Sequence, residues 1–197
     1  MRRWPGPAAL LLTISHPALA RNTLVASHLP VAVARSPMVV TPDREWNRLG
    51  EWPGAHAESW TINGDALDKI VFYGGIAPYR PLSREVNRRA APLPHFSPTM
   101  LLTDIPRLFE ATYRISLDTP VMQVDTVTPA VFLGHKGVRF SYRYSRSEDD
   151  VRRAGEAVAT IVDRQLYLIS FDAPAVFYYD RYLPAFRAIV ASAAIAR

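Results

Sequence analysis

The residues able to do chemistry in this chain are few and scattered. There is no cysteine, which excludes disulfides, thiolate metal sites and cysteine nucleophiles. His28, His56, His95 and His135 lie far apart, and no pair has the spacing of a helical metal site such as H-x-x-x-H. No G-x-S-x-G nucleophile elbow and no phosphate-binding glycine loop is present. Paired carboxylates occur at Asp65 and Asp68, beside an Asn63-Gly64 dipeptide, and at Glu148, Asp149 and Asp150 in a hydrophilic run. They read as a turn and a solvated loop, and they lack the D-x-D-x-D-G spacing of a calcium loop. A hydrolase would have to assemble its site from distant residues, with His95 and Asp104 as its pair. No metal site and no cofactor is expected.

The densest group of one chemical type is cationic. Arg80, Arg84, Arg88 and Arg89 fall in a stretch, 76–98, that also holds Pro78, Pro81, Pro92, Pro94 and Pro98. Prolines at that density remove backbone donors and resist regular structure. A loop of this length in a compact domain is usually functional or mobile. The four arginines and His95 are therefore the expected contact residues for an anionic or apolar ligand or an envelope protein. The formal charge is +5 over 197 residues, and it is carried almost wholly by arginine, with lysine at Lys69 and Lys136 alone. No basic stripe with interleaved aromatics marks a nucleic-acid binder, so none is expected as partner.

The elements that must position these residues can be outlined from pattern. The first 20 residues have the three parts of a secretory signal in order. Arg2 and Arg3 are the positive region, Ala8 to Ile14 the apolar run, and Ala18-Leu19-Ala20 the small-x-small site, with the cut after Ala20. A cut after Ala34, at Ala32-Val33-Ala34, is the alternative. The apolar run is shorter than the roughly 20 residues a bilayer span needs, so no span is expected after cleavage. Loss of Arg2 and Arg3 lowers the charge to +3. Export without cysteines suits a bacterial periplasm. Residues 21–35 read as a mature leader, partly disordered, and 36–197 as a single domain, expected to be a monomer.

Within that domain Ser36 to Val40 reads as a strand. Thr41-Pro42-Asp43 reads as the start of a short helix with Trp46 and Leu49 inward and Gly50 as its stop. Glu58 to Tyr73 is a hairpin about Asn63-Gly64, closed by Gly74-Gly75. Thr103 to Arg114 is a helix capped by Thr103 or Asp104, with Ile105, Leu108, Phe109 and Thr112 on one face. Val121 to Leu133 is one bent strand or two, interrupted at Pro129, followed by a turn at residues 134–137. Val138 to Ser145 alternates strictly, with Val138, Phe140, Tyr142 and Tyr144 on the buried side. Residues 153–162 fit a strand or a helix, and Gln165 to Asp172 fits a strand. A final helix carries Leu183, Phe186, Ile189, Val190 and Ala193 at helical spacing. Aromatics such as Trp60, Tyr73, Tyr142, Tyr144 and Tyr167 either fill the core or line an apolar cleft.

The run Leu166 to Pro174, then Tyr178-Tyr179-Asp180 and the helix ending Ile189-Val190-Ala191-Ser192, resembles the PsbP-like and DcrB-like family. The resemblance implies an α+β fold, an antiparallel β-sheet flanked by helices in an α/β/α sandwich. It favours the strand at 153–162. It also implies a non-enzymatic accessory or binding role, which the signal segment would place in the periplasm. A carrier of a lipid or other apolar ligand, from the strand aromatics, and a secreted hydrolase, from His95 and Asp104, are the alternatives.

Overall fold

The computed structural model describes residues 21–119, 121–145 and 151–196. The predicted signal segment and the Glu148-Asp149-Asp150 cluster lie outside them. The architecture follows from one long hairpin ladder. β5 (Ala57–Thr61) and β6 (Lys69–Ile76) pair antiparallel, and so do β7 (Val121–Phe132), β8 (His135–Ser145), β9 (Arg152–Val162) and β10 (Gln165–Pro174) in succession. β10 then pairs with β6, joining the two groups. β1 (Thr23–Val25) and β4 (Trp46–Arg48) extend the β5 edge, giving eight strands in the order β1-β4-β5-β6-β10-β9-β8-β7. β2 (Val31–Ala32), β3 (Met38–Val40) and β11 (Ala194–Ile195) form a second, three-stranded sheet.

Helices cover both faces. α1 (Ile105–Ser116) packs Ile105, Leu108, Phe109 and Tyr113 onto Phe140, Tyr142, Tyr144 and Leu168. α2 (Tyr178–Ser192) packs Phe186, Ile189 and Val190 onto the other face, with Trp60, Phe72, Ile169 and Phe171. This is the α/β/α sandwich on an antiparallel sheet that the sequence predicted. Residues 153–162 are strand, and every residue from Gly155 to Thr160 is buried.

Several local expectations need correction. The short helix at 41–49 is absent. Trp46 is fully buried in β4 instead, opposite Val25, and Arg48 lies opposite Trp60. A helix of two turns cannot sustain itself by local bonds, and strand pairing on two sides outweighs its capping residues. Residues 21–35, expected to be a partly disordered leader, carry β1 and β2 and bury Val33 and Ala34. Gly74 and Gly75 do not end β6, which runs on to Ile76. A side chain at Gly74 would overlap Ser36, and Gly75 adopts φ +67° where the register against β10 shifts. Pro129 does not interrupt β7, because β7 is an edge strand and a missing donor is tolerated there. The turn before β8 is Leu133-Gly134, and His135 already pairs with Phe132. Asp104 caps no amide by its side chain at α1, but its carboxylate accepts from the Leu101 N–H at 2.9 Å.

The Asn63-Gly64 connection is a loop of residues 62–68, not a tight two-residue turn. Buried Asp68 organises it. Its carboxylate accepts from the Ile62 N–H at 2.6 Å, the Asn63 N–H at 3.0 Å, the Asn63 side-chain amide at 2.6 Å and the Thr61 hydroxyl at 3.1 Å. The paired-carboxylate reading of Asp65 and Asp68 therefore dissolves. Asp68 closes a loop, while Asp65 is exposed.

Gly155 in β9 lies beneath the Tyr142 ring, and a Cβ there would overlap it. Gly155→Ala is expected to destabilise the protein by about 1–3 kcal/mol in denaturant unfolding, the range for overpacked cores. In a double-mutant cycle with Tyr142→Ala the two effects should be strongly non-additive, and additive losses would show that the ring does not rest on the glycine.

Candidate functional site

The proline-rich segment is an anchored strap. Leu82, Leu93 and Phe96 are buried beneath it. The Tyr79 N–H donates to the Phe96 carbonyl at 2.7 Å and the Phe96 N–H to the Arg80 carbonyl at 3.0 Å, closing the strap on itself. The Arg84 N–H donates to the Pro53 carbonyl at 2.6 Å, tying it to the 49–53 segment. Glu85 is its internal hub. Its carboxylate accepts from the Leu93 N–H at 3.1 Å and lies 3.7 Å from Arg88 and 3.8 Å from His95.

The predicted contact residues are thus all on one strap, and all five are exposed. They do not act as one cluster. Arg88 and His95 share Glu85, whereas Arg80, Arg84 and Arg89 have no ion-pair partner among the described residues. His95 and Asp104 are not brought together. His95 faces Glu85, and Asp104 bonds the Leu101 amide. His28, His56 and His135 are exposed as well. Among the described residues no group of three or more His, Asp or Glu side chains is placed to hold a metal ion.

Beside the strap is a cleft of about 450 Å³, within the size range of small-molecule sites. Ser59 of β5 and Val71 and Tyr73 of β6 line it from the sheet. Leu49, Trp52 and Pro53 line it from the preceding segment, Arg84, Val86 and Leu93 from the strap, and Tyr113, Ile115 and Leu117 from the end of α1. Lys69 and Asp65 stand at the hairpin end. A second groove shares Glu51, Trp52, Ser83 and Arg84 with it and adds Arg35, His56, Arg80 and Glu85, among others. Arg35 stacks over the Trp52 ring at 4.2 Å, which holds that indole at the junction of the two.

A chain of hydroxyls leads from the cleft into the core. The Tyr73 hydroxyl lies beside those of Ser83 and Tyr113. Tyr113 reaches the Ser170 hydroxyl at 3.4 Å, and the Tyr142 hydroxyl donates to the Phe171 carbonyl at 3.2 Å. Further in, the Tyr144 hydroxyl donates to Asp172 at 2.6 Å, and Arg153 lies 3.6 Å from the same carboxylate while donating to the Ala66 carbonyl. Asp172 Oδ2 and Arg153 Nε have no hydrogen-bond partner among the described residues. That pair is enclosed and lines neither cavity.

Burial pushes the Tyr73, Tyr113 and Tyr142 hydroxyls well above their ordinary value of 10, and the charge of Asp172 adds to the shift. They stay neutral at any physiological pH. Where they line the cleft, at Tyr73 and Tyr113, they offer neutral hydroxyls for hydrogen bonding. Sequence reasoning named Tyr73 among the aromatics that either fill the core or line a cleft, but it missed Ser59 and Tyr113 beside it, together with Lys69 and Trp52. The one available signal was Lys69, a rare lysine heading an otherwise apolar strand.

The fold has known counterparts. No protein-family model matches the chain, and no curated protein is similar to it in sequence. Among solved structures, cyanobacterial PsbP (CyanoP) from Synechocystis is similar over 93% of this chain and 97% of its own, with TM-score 0.54 and 12% identity. The chain thus has the PsbP-like fold that its sequence predicted. Two further structures align less well. A protein of unknown function, PA94 from Pseudomonas aeruginosa, has TM-score 0.39 at 14% identity, covering 66% of this chain and 75% of its own. LpqN, involved in cell envelope biogenesis of Mycobacterium tuberculosis, has TM-score 0.31 at 11% identity, covering 90% and 86%.

The buried tyrosines give an alkaline signature. Their raised values mean that the folded state keeps protons the unfolded state has lost above pH 10. Stability from them is complete below pH 10 and falls as the pH rises further. A tyrosinate absorbance titration should show part of the nine tyrosines ionising only with loss of near-ultraviolet circular dichroism. Full ionisation near pH 10 with the fold intact would contradict the buried network.

Proposed function

We propose that this chain is an exported, non-enzymatic accessory protein of the bacterial envelope that works by binding, with the strap at 77–98 as its contact with an anionic partner. The observation that carries this reading is the contrast between anchor and charge. The strap is fixed by three buried apolar side chains, yet Arg80, Arg84 and Arg89 extend from it without an ion-pair partner among the described residues. Arginine presents a planar donor fork suited to carboxylate and phosphate. A rigid backbone lowers the ordering cost of a contact.

Export is supported by the signal pattern at 1–20, and no helix among the described residues is long and apolar enough to cross a membrane. A binding role is supported by the neutral hydroxyl floor and the separation of His95 from Asp104. The PsbP-like fold is compatible with this reading but does not select a partner.

The test is recovery of a partner from envelope extracts with the purified chain as bait. Replacing Arg80, Arg84, Arg88 and Arg89 by Ser should cut recovery at least about tenfold, and raised salt should mimic the loss, as screened surface charge predicts. The melting temperature should barely change, since exposed substitutions usually stay within about 0.5 kcal/mol. Unchanged recovery by the four-fold variant would refute the strap as the contact.

A further inference from the structure

We infer that the cleft between the strap, β5–β6 and the end of α1 binds an amphipathic organic anion, its charged head at Lys69 and Arg84 and its apolar body along Val71, Val86, Leu93 and Ile115. The inference deepens the binding role and rests on reading this face as the binding face. It names a site distinct from the outer surface of the strap, and a ligand class.

Three observations converge on it. The first is a pair of cations held without ion-pair partners. Lys69 is half-buried and Arg84 stands on the opposite wall, and neither has an ion-pair partner among the described residues. Glu51 and Asp65 also line the cleft, exposed as Arg84 is, and neither lies within ion-pair distance of Lys69 or Arg84.

The second is apolar surface where water would otherwise lie. Val86 is 93% exposed on the lip of the strap, and Ile115 is exposed on the facing end of α1. Each lines the cleft from an element that buries most of its large apolar side chains, Leu82, Leu93 and Phe96 on the strap and Ile105, Leu108, Phe109 and Tyr113 on α1. An isolated exposed valine needs no explanation, but two on opposite lips of one concavity form the walls of a slot. The third is the floor. The hydroxyls of Ser59, Ser83 and Tyr73 are neutral donors, able to bond a head group without adding charge of either sign.

A carboxylate and a phosphate monoester head both satisfy this chemistry, so the experiment carries both. Binding to the purified full chain is measured by isothermal titration calorimetry with decanoate and with decyl phosphate. Decanol serves as the uncharged body and inorganic phosphate as the bare anion. At least one of the two amphiphiles should saturate at one molecule per chain, and the tighter one identifies the head group. Decanol and inorganic phosphate should bind at least about tenfold more weakly, because each lacks half of the complement.

Lys69→Met and Val86→Glu should each weaken the amphiphile by about tenfold or more while leaving the melting temperature unchanged. Val86 is so exposed that its variant must fold, which protects the test if Lys69→Met does not. An Arg80→Ser, Arg88→Ser, Arg89→Ser variant should bind the amphiphile normally while losing the envelope partner. Failure of the cleft is therefore distinguishable from failure of the strap. The inference is overturned if neither amphiphile saturates, if decanol binds as tightly as decanoate, or if Val86→Glu has no effect.

Discussion

Everything in this molecule follows from a sheet covered on both faces. β5, β6, β9 and β10 are buried along nearly their whole length, so a polar side chain in any of them must find its partner inside. Two of the buried carboxylates tie distant segments to the sheet. Glu58 accepts from the Ala34 N–H at 2.8 Å and the Trp60 indole at 2.6 Å and pairs with Arg48 at 2.6 Å, binding the N-terminal strands to the sheet. Glu156 holds α2 through Arg187 at 2.6 Å and holds β8 through Arg139. Removing one partner from such a group would leave a charge stranded, at a cost of several kcal/mol.

The same constraint explains where the cleft is. α1 has 12 residues, a length of roughly 18 Å, whereas eight strands span roughly 34 Å. One helix cannot cover that face. The strap completes the cover over β5 and β6, and its prolines suit it, because they need few backbone partners and remain extended. Helix end and strap do not close against each other. The gap exposes the hydroxyl-bearing floor at Ser59 and Tyr73, and the rim collects the charges of Lys69 and Arg84. Cleft and cover arise from one shortfall in helix length.

Legibility in the sequence tracked burial. β8 could be read because one face packs under α1 and the other is wetter, which leaves a period of two. β9 could not be told from a helix by periodicity, because both its faces are covered and the period vanishes. At 41–48 local capping residues pointed to a helix, and the burial of Trp46 between two strands overrode them. The strap arginines were legible because they cluster in sequence among prolines. Of the floor only Tyr73 was singled out, because Ser59, Tyr73 and Tyr113 come from three separate segments and meet only in the fold.

The most direct measurement is native mass spectrometry of the chain produced with its own N-terminus in a Gram-negative bacterium and recovered from the periplasm. The account predicts a mass for residues 21–197 plus one small anionic amphiphile that is lost on denaturation and absent from the Lys69→Met variant. A bare chain that retains residues 1–20 and stays out of the periplasm would contradict the account. So would an adduct that persists unchanged in the variant.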